Sequence, residues 1–173
     1  VGRSIVAFDE LGLETEVIDF MVVGQDYFKT LQIPIVEGRA FGSEDSLSSI
    51  QPVLVNQRFM EVMGWEGIND KYLYWAMDEF GPTEKGKIVG VTEDFHAFSL
   101  HENINPLVFY LAPYPEGSIN ILINRENMDE VIDFLTFQWS KIDPNHPFEY
   151  YYLEDDLGSL YTEDKRLAQL TKA

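Results

Sequence analysis

The sequence predicts an α+β fold in two lobes. Short apolar runs of strand length recur along the chain, and one clearly amphipathic helical stretch lies near its C-terminal third. Polar, turn-rich joins near residues 43 and 114 break the chain into three sections. These observations give an inner β-α…β-α-β lobe built from both chain ends, about 14–42 and 115–173. An outer lobe of short strands with one helix, about 43–114, is inserted into it. At 173 residues, the whole of 1–173 reads as a single domain.

Residues 1–13 show no clear period and read as a loosely tied terminus. Thr15 to Val23 is β-rich, with Val17, Phe20 and Val22 among polar neighbours, and predicts a strand ended by Gly24. Asp26 stands at an N-cap position before a short helix whose apolar face is Tyr27, Phe28 and Leu31. Pro34 ends that helix by restricting the preceding residue and removing a donor. Gly38 and Gly42 mark turns, and Ser43 to Ser49 reads as a crossing between lobes. Pro52 to Val55 predicts a buried strand. Asn56 caps a helix through Met63 that Gly64 terminates. Tyr72 to Ala76 and Lys87 to Val91 predict two strands joined by the turn-rich run Gly81 to Gly86, and Leu107 to Leu111 a further strand.

In the third section, Ile119, Ile121 and Ile123 alternate with Asn120, Leu122 and Asn124 as a strand with a core face would. Asn127 followed by Glu130 resembles a capping box. Val131, Leu135, Trp139 and Ile142 then fall on one helical stripe, which Pro144 and Pro147 close. Phe148 to Leu153 predicts an aromatic-rich strand, with Phe148, Tyr150 and Tyr152 on one face. Leu157, Leu160, Tyr161, Leu167 and Leu170 recur at the spacing of a last helix.

Net charge is −18, from 30 acidic and 12 basic residues. Nucleic acid is excluded as a partner, because its binding requires clustered Lys and Arg that release counterions. The sign suits a segment exported from the cytoplasm, since retained loops are the ones enriched in Lys and Arg. The chain has no cysteine, which removes thiol catalysis, disulfides and Cys-based zinc sites. No stretch approaches the roughly 20 apolar residues of a membrane-spanning helix. Beginning at Val1 within polar sequence, the chain reads as a piece of something longer.

Few residues offer chemistry. Asp94, His96, His101 and Glu102 are the one cluster resembling metal ligands, and the plainer account has Asp94 and His96 holding the loop after a strand. The acidic pairs Glu44-Asp45, Asp78-Glu79, Glu93-Asp94 and the run Glu154-Asp155-Asp156 read as solvated faces in so acidic a chain. There is no nucleophile elbow and no glycine-rich phosphate loop. Trp65, Trp75 and Trp139 could line a ligand groove but more commonly pack a core. No catalytic, cofactor-binding or metal-binding residue is expected.

Four ordered stretches carry a resemblance over roughly residues 15 to 170. They are Asp26-Tyr27-Phe28-Lys29-Thr30-Leu31 with Ile33-Pro34-Ile35-Val36-Glu37-Gly38-Arg39-Ala40-Phe41, and Pro52-Val53-Leu54-Val55-Asn56. Ile88-Val89-Gly90-Val91 follows with Asp94-Phe95-His96 and Pro106-Leu107-Val108-Phe109-Tyr110. Last come Pro147-Phe148-Glu149-Tyr150 and Glu163-Asp164-Lys165-Arg166-Leu167. Together they resemble the periplasmic core domain of MacB-like ABC transporter permeases, a family that includes FtsX-type and lipoprotein-releasing permeases. Two positions depart from that pattern. Asp70-Lys71 stands where the family usually has Gly-Lys, and Thr92-Glu93 where it has an apolar and a basic residue.

The resemblance implies a non-enzymatic, extracytoplasmic (periplasmic) domain that transmits ATP-driven motion. It implies as partners the membrane-spanning remainder of the permease and a cytoplasmic ABC ATPase subunit, with a periplasmic adaptor or exported substrate beyond them. The candidate coupling helix is Leu157 to Leu170, with Leu157, Leu160, Tyr161, Arg166, Leu167 and Leu170 as its marked positions. The alternative is a free-standing or receptor-attached sensor module that captures a ligand between its lobes.

Overall fold

The computed structural model describes residues 2–6, 16–78, 81–97, 103–112 and 118–153. It divides into two compact units, Val1–Ile121 and Leu122–Ala173. The fold is α+β, as expected.

The first unit is organised on a seven-stranded mixed sheet in the order β1-β2-β7-β4-β6-β3, with β5 also paired to β6. The strands are β1 (Gly2–Val6), β2 (Glu16–Val23), β3 (Ile35–Gly38), β4 (Gln51–Asn56), β5 (Tyr72–Asp78), β6 (Gly81–Thr92) and β7 (Leu107–Leu111). Strand β4 lies centrally, antiparallel to β7 and parallel to β6, and only its first residue is exposed. That placement explains its unbroken Val53-Leu54-Val55, since a strand covered on both faces cannot alternate apolar with polar.

Each face has its own core. Val53, Val55 and Val108 point to one side, where helix α2 (Gln57–Met63) adds Phe59 and Met60. Leu54, Leu107, Phe109 and Leu111 point to the other, where α1 (Tyr27–Thr30) adds Phe28, and Phe41 joins it. Phe28 and Phe109 meet edge to face with ring centroids 4.9 Å apart.

Several expectations are corrected here. The first residues are not without structure, because β1 pairs antiparallel with β2 from Gly2–Phe20 to Val6–Glu16. A four-residue strand, β3, emerges after Pro34, too short to register as a period. The run Gly81 to Gly86 is not a turn but the first half of β6, with Gly81 opposite Asp78 and Lys85 opposite Tyr74. The sheet draws strands from both sides of residue 43, since β2 pairs with β7 and β3 with β6.

The second unit holds α3 (Met128–Ile142), entered through a 3-10 turn at Arg125–Asn127. Asn127 makes no side-chain cap. Asn124 takes that task for the turn, its Oδ1 accepting from the Glu126 N–H at 3.3 Å, so the expected capping box does not form. The 3-10 turn moves the start of the ordered hydrogen bonds upstream by one turn. Neither Ile119 to Asn124 nor Phe148 to Tyr152 forms a strand. Alternation sets which residues share a side, whereas a strand also requires a partner of matching register. Ile119 is 80% exposed and Leu122 64%. Val131, Leu135 and Trp139 of the expected stripe are half-buried, while Ile142 stays exposed.

Candidate functional site

The segment Glu37 to Asp45 concentrates the most specific geometry. Gly38 adopts φ +71°, a left-handed conformation, and lies opposite Gly90 in the β3–β6 pairing. A methyl on Gly38 would run into the Val89 carbonyl, and one on Gly90 into the Arg39 carbonyl. Two backbones meet here without room for any side chain. Strand β6 is bulged beside this approach on the β4 side, where Val53 pairs with Ile88 but Leu54 with Gly90, leaving Val89 as the extra residue.

Arg39 then reaches Asp45 through two hydrogen bonds, Nη1 to Oδ2 at 2.6 Å and Nη2 to Oδ1 at 2.8 Å. The Gly42 N–H donates to the same Oδ2 at 2.8 Å. The Arg39 hydrogen bond and the Gly42 N–H hold the Asp45 carboxyl below its ordinary range, overriding the opposing effect of burial. Asp45 is 7% exposed. Its neighbour Glu44 lies in solvent, 3.7 Å from the guanidinium. The expectation of a solvated Glu44-Asp45 pair is therefore half right. Arg39, six residues earlier and followed by Gly42, was the signal that one of the two acids turns inward. Glu37 also ties a loop, its Oε1 accepting from the Ile68 N–H at 3.1 Å.

A second polar centre lies at the ends of β4 and β6. Asn56, 1% exposed, caps α2 by accepting the Phe59 N–H at 2.9 Å. The same Oδ1 accepts the Leu107 N–H at 2.9 Å, and Nδ2 donates to the Asn105 carbonyl at 2.9 Å. Asn105 in turn donates to Asp19 Oδ2 at 3.0 Å. Asp94 supplies another acceptor for α2, taking the Arg58 N–H at 2.9 Å. Two of the helix's unpaired first-turn donors are thus satisfied by side chains from outside it. Asp94 thus ties the loop after β6 to the start of α2.

His96 is exposed on the loop after β6, and His101 and Glu102 lie outside the described residues. Among the described residues no group of three His, Asp or Glu side chains could hold a metal ion. Trp65 packs edge to face on Phe59 at 5.8 Å and carries Lys71 over its ring at 4.8 Å. The side chain of Trp75, and the run Glu154-Asp155-Asp156, fall outside the described residues.

Beside the Arg39–Asp45 pair runs an open groove of about 730 Å³, with Ser48, Asn69, Asp70 and Lys87 on its walls. Ser48 donates its hydroxyl to the Ile50 carbonyl at 2.6 Å, so it shapes a turn and is not poised as a nucleophile. The groove walls carry hydroxyl, amide, carboxylate and ammonium groups.

In the second unit, Trp139 donates its indole N–H to the His146 carbonyl at 3.0 Å and packs on Phe148 at 6.2 Å. Phe148, Tyr150 and Tyr152 follow in a row, 5.7 Å from ring to ring, so they do share one side. The candidate coupling positions Leu157, Leu160, Tyr161, Arg166, Leu167 and Leu170 all lie outside the described residues. Among the described residues no helix is long and apolar enough to cross a membrane.

No family model matches the chain, and no curated protein matches it by sequence. Solved structures do. The periplasmic region of MacB from Actinobacillus actinomycetemcomitans superposes with a TM-score of 0.57 at 12% identity, over 82% of this chain and 63% of that one. A domain assigned to a permease protein from Porphyromonas gingivalis superposes with a TM-score of 0.52 at 16% identity, over 90% of this chain and 77% of that one. The chain thus spans less than two thirds of the MacB periplasmic region. The sheet, its two covering helices and these superpositions agree: the chain has the fold of a MacB-like periplasmic domain.

Proposed function

We propose that the chain is the extracytoplasmic domain of an ABC transporter permease. In this reading it passes ATP-driven motion to a substrate or partner outside the membrane and catalyses no reaction. The observation that carries the reading is the fold shared with the MacB periplasmic region over 82% of the chain.

The use of polar residues supports it. Arg39 and Asp45 lock a turn, Asn56 joins α2 to β7, and Asp94 holds the start of α2. Those side chains stiffen the unit, and stiffness is what a transmitting element requires. The transmission helix is assigned to Leu157, Leu160, Tyr161, Arg166, Leu167 and Leu170, whose spacing in the sequence is helical. The membrane-spanning remainder of the permease and a cytoplasmic ABC ATPase are the partners, and the periplasmic side of the cytoplasmic membrane is the location.

The 173-residue sequence holds no cysteine, so an added thiol, read against the unsubstituted parent, tests location. Ser49 is exposed, and Ser49→Cys in the parent protein provides a thiol for a membrane-impermeant maleimide. Labelling in intact cells is expected. Labelling only after lysis would place the domain in the cytoplasm and end the reading.

A further inference from the structure

One face of the β5–β6 pair brings two tyrosines and two lysines together. Leu73 is fully buried on one side of β5, so Tyr72 and Tyr74 project from the other. In the antiparallel register Tyr72 stands opposite Lys87 and Tyr74 opposite Lys85. The Lys85 ammonium lies 3.7 Å from the centre of the Tyr72 ring and 5.5 Å from that of Tyr74. Both lysines are exposed. Elsewhere in this unit, among the described residues, Arg39 is paired with Asp45 and Arg58 with Glu61. Among the described residues, no carboxylate pairs with Lys85 or Lys87, although acids outnumber basic residues by 30 to 12 in the chain.

We propose that this Tyr72–Tyr74–Lys85–Lys87 face docks an extended acidic peptide segment with carboxylates at every second residue. Charge complementarity selects the partner, since this is a cationic strip on a chain of net charge −18. Spacing selects its conformation. Lys85 and Lys87 lie two residues apart on one strand face, about 7 Å, which is the repeat of alternate side chains in another extended chain. The two rings hold the Lys85 stem in place, so less rotamer freedom is lost when the ammonium engages a carboxylate. The ring faces flank the cation and exclude water from one side of the contact. The inference stands on the first unit alone and is independent of the permease reading.

Fluorescence anisotropy of a labelled Glu-Thr-Glu-Thr-Glu-Thr-Glu peptide against the 173-residue chain tests it. The salt should be near physiological, where screening over about 8 Å mutes the distant negative charges but leaves contact pairs intact. Saturable binding is expected, weakened about tenfold or more by K85E/K87E, with a smaller loss in K85Q/K87Q. Both variants should keep the parental melting temperature, and the Gln-Thr counterpart of the peptide should not bind. No saturable binding, equal affinity for the lysine variants, or equal affinity for the Gln-Thr peptide would each overturn the proposal. So would equally tight, lysine-dependent binding of a single-stranded oligonucleotide, which would replace the peptide by a generic polyanion.

Discussion

Arg39 and Asp45 close the turn after β3 with two nearly parallel hydrogen bonds, 2.6 and 2.8 Å long, and Asp45 is almost wholly removed from water. A buried carboxylate is tolerated here because three N–H donors surround it, two from the guanidinium and one from Gly42. The pair fixes where the chain leaves β3 and returns toward β4.

Stability should therefore depend on acid at this site. The folded Asp45 carboxyl titrates below its ordinary value of 3.8, so its contribution is complete above that value. It is lost as pH falls through the lower, folded pKa. Asp45→Asn should cost about 1–3 kcal/mol at pH 7, and its deficit against the parent should shrink as pH is taken below 3.8. Thermal melts of both proteins across that range check this. A deficit that stays constant with pH would mean that the Asp45 charge contributes nothing.

The Gly38–Gly90 approach predicts a sharper loss. Gly90→Ala places a methyl against the Arg39 carbonyl, with no side chain to move aside. Relief requires shifting β3 from β6, and a cost of about 3 kcal/mol or more is expected. Urea unfolding measures it. A midpoint equal to the parent's would show that the strands separate here at no cost.

Thr92 should behave in the opposite way. It is 0% exposed, and its hydroxyl has no hydrogen-bond partner among the described residues. Thr92→Val keeps the shape and removes an unsatisfied polar atom, so stability should be unchanged or higher by up to about 1 kcal/mol. A loss beyond 1 kcal/mol on chemical denaturation would reveal a partner for the hydroxyl.

Local signals were legible where one residue does one local task. Asn56 before an apolar run, and Gly64 after it, marked both ends of α2, and each behaves as expected, Gly64 with φ +63°. Asp70 stands where the resembling family has glycine, and its backbone adopts φ +55°, a conformation an aspartate tolerates better than most residues. Partnerships across distance were not legible. Asn56 bonding Leu107, Asp94 bonding Arg58, and Asn105 bonding Asp19 join residues 36 to 86 positions apart, which no local period encodes. The alternation of Ile119 to Ile123 identified a side but could not supply a strand partner. The turn content of Gly81 to Gly86 misled because pairing with β5 holds the run extended despite its Gly and Pro, and that pairing has no local signal.

The role proposed for Leu157 to Leu170 is to convey motion. Proline at Ala168 would remove a backbone donor and clash with the carbonyl four residues earlier, costing about 3 kcal/mol or more within a continuous helix. Ala168→Pro in the 173-residue chain should leave the melting temperature nearly unchanged, which separates transmission from folding. In the transporter proposed above, the decisive measurement is ATP hydrolysis and substrate transport side by side. If the stretch conveys motion, the variant assembles and hydrolyses ATP while transport is lost. A transporter carrying Ala168→Pro that moves its substrate at the parental rate would contradict it.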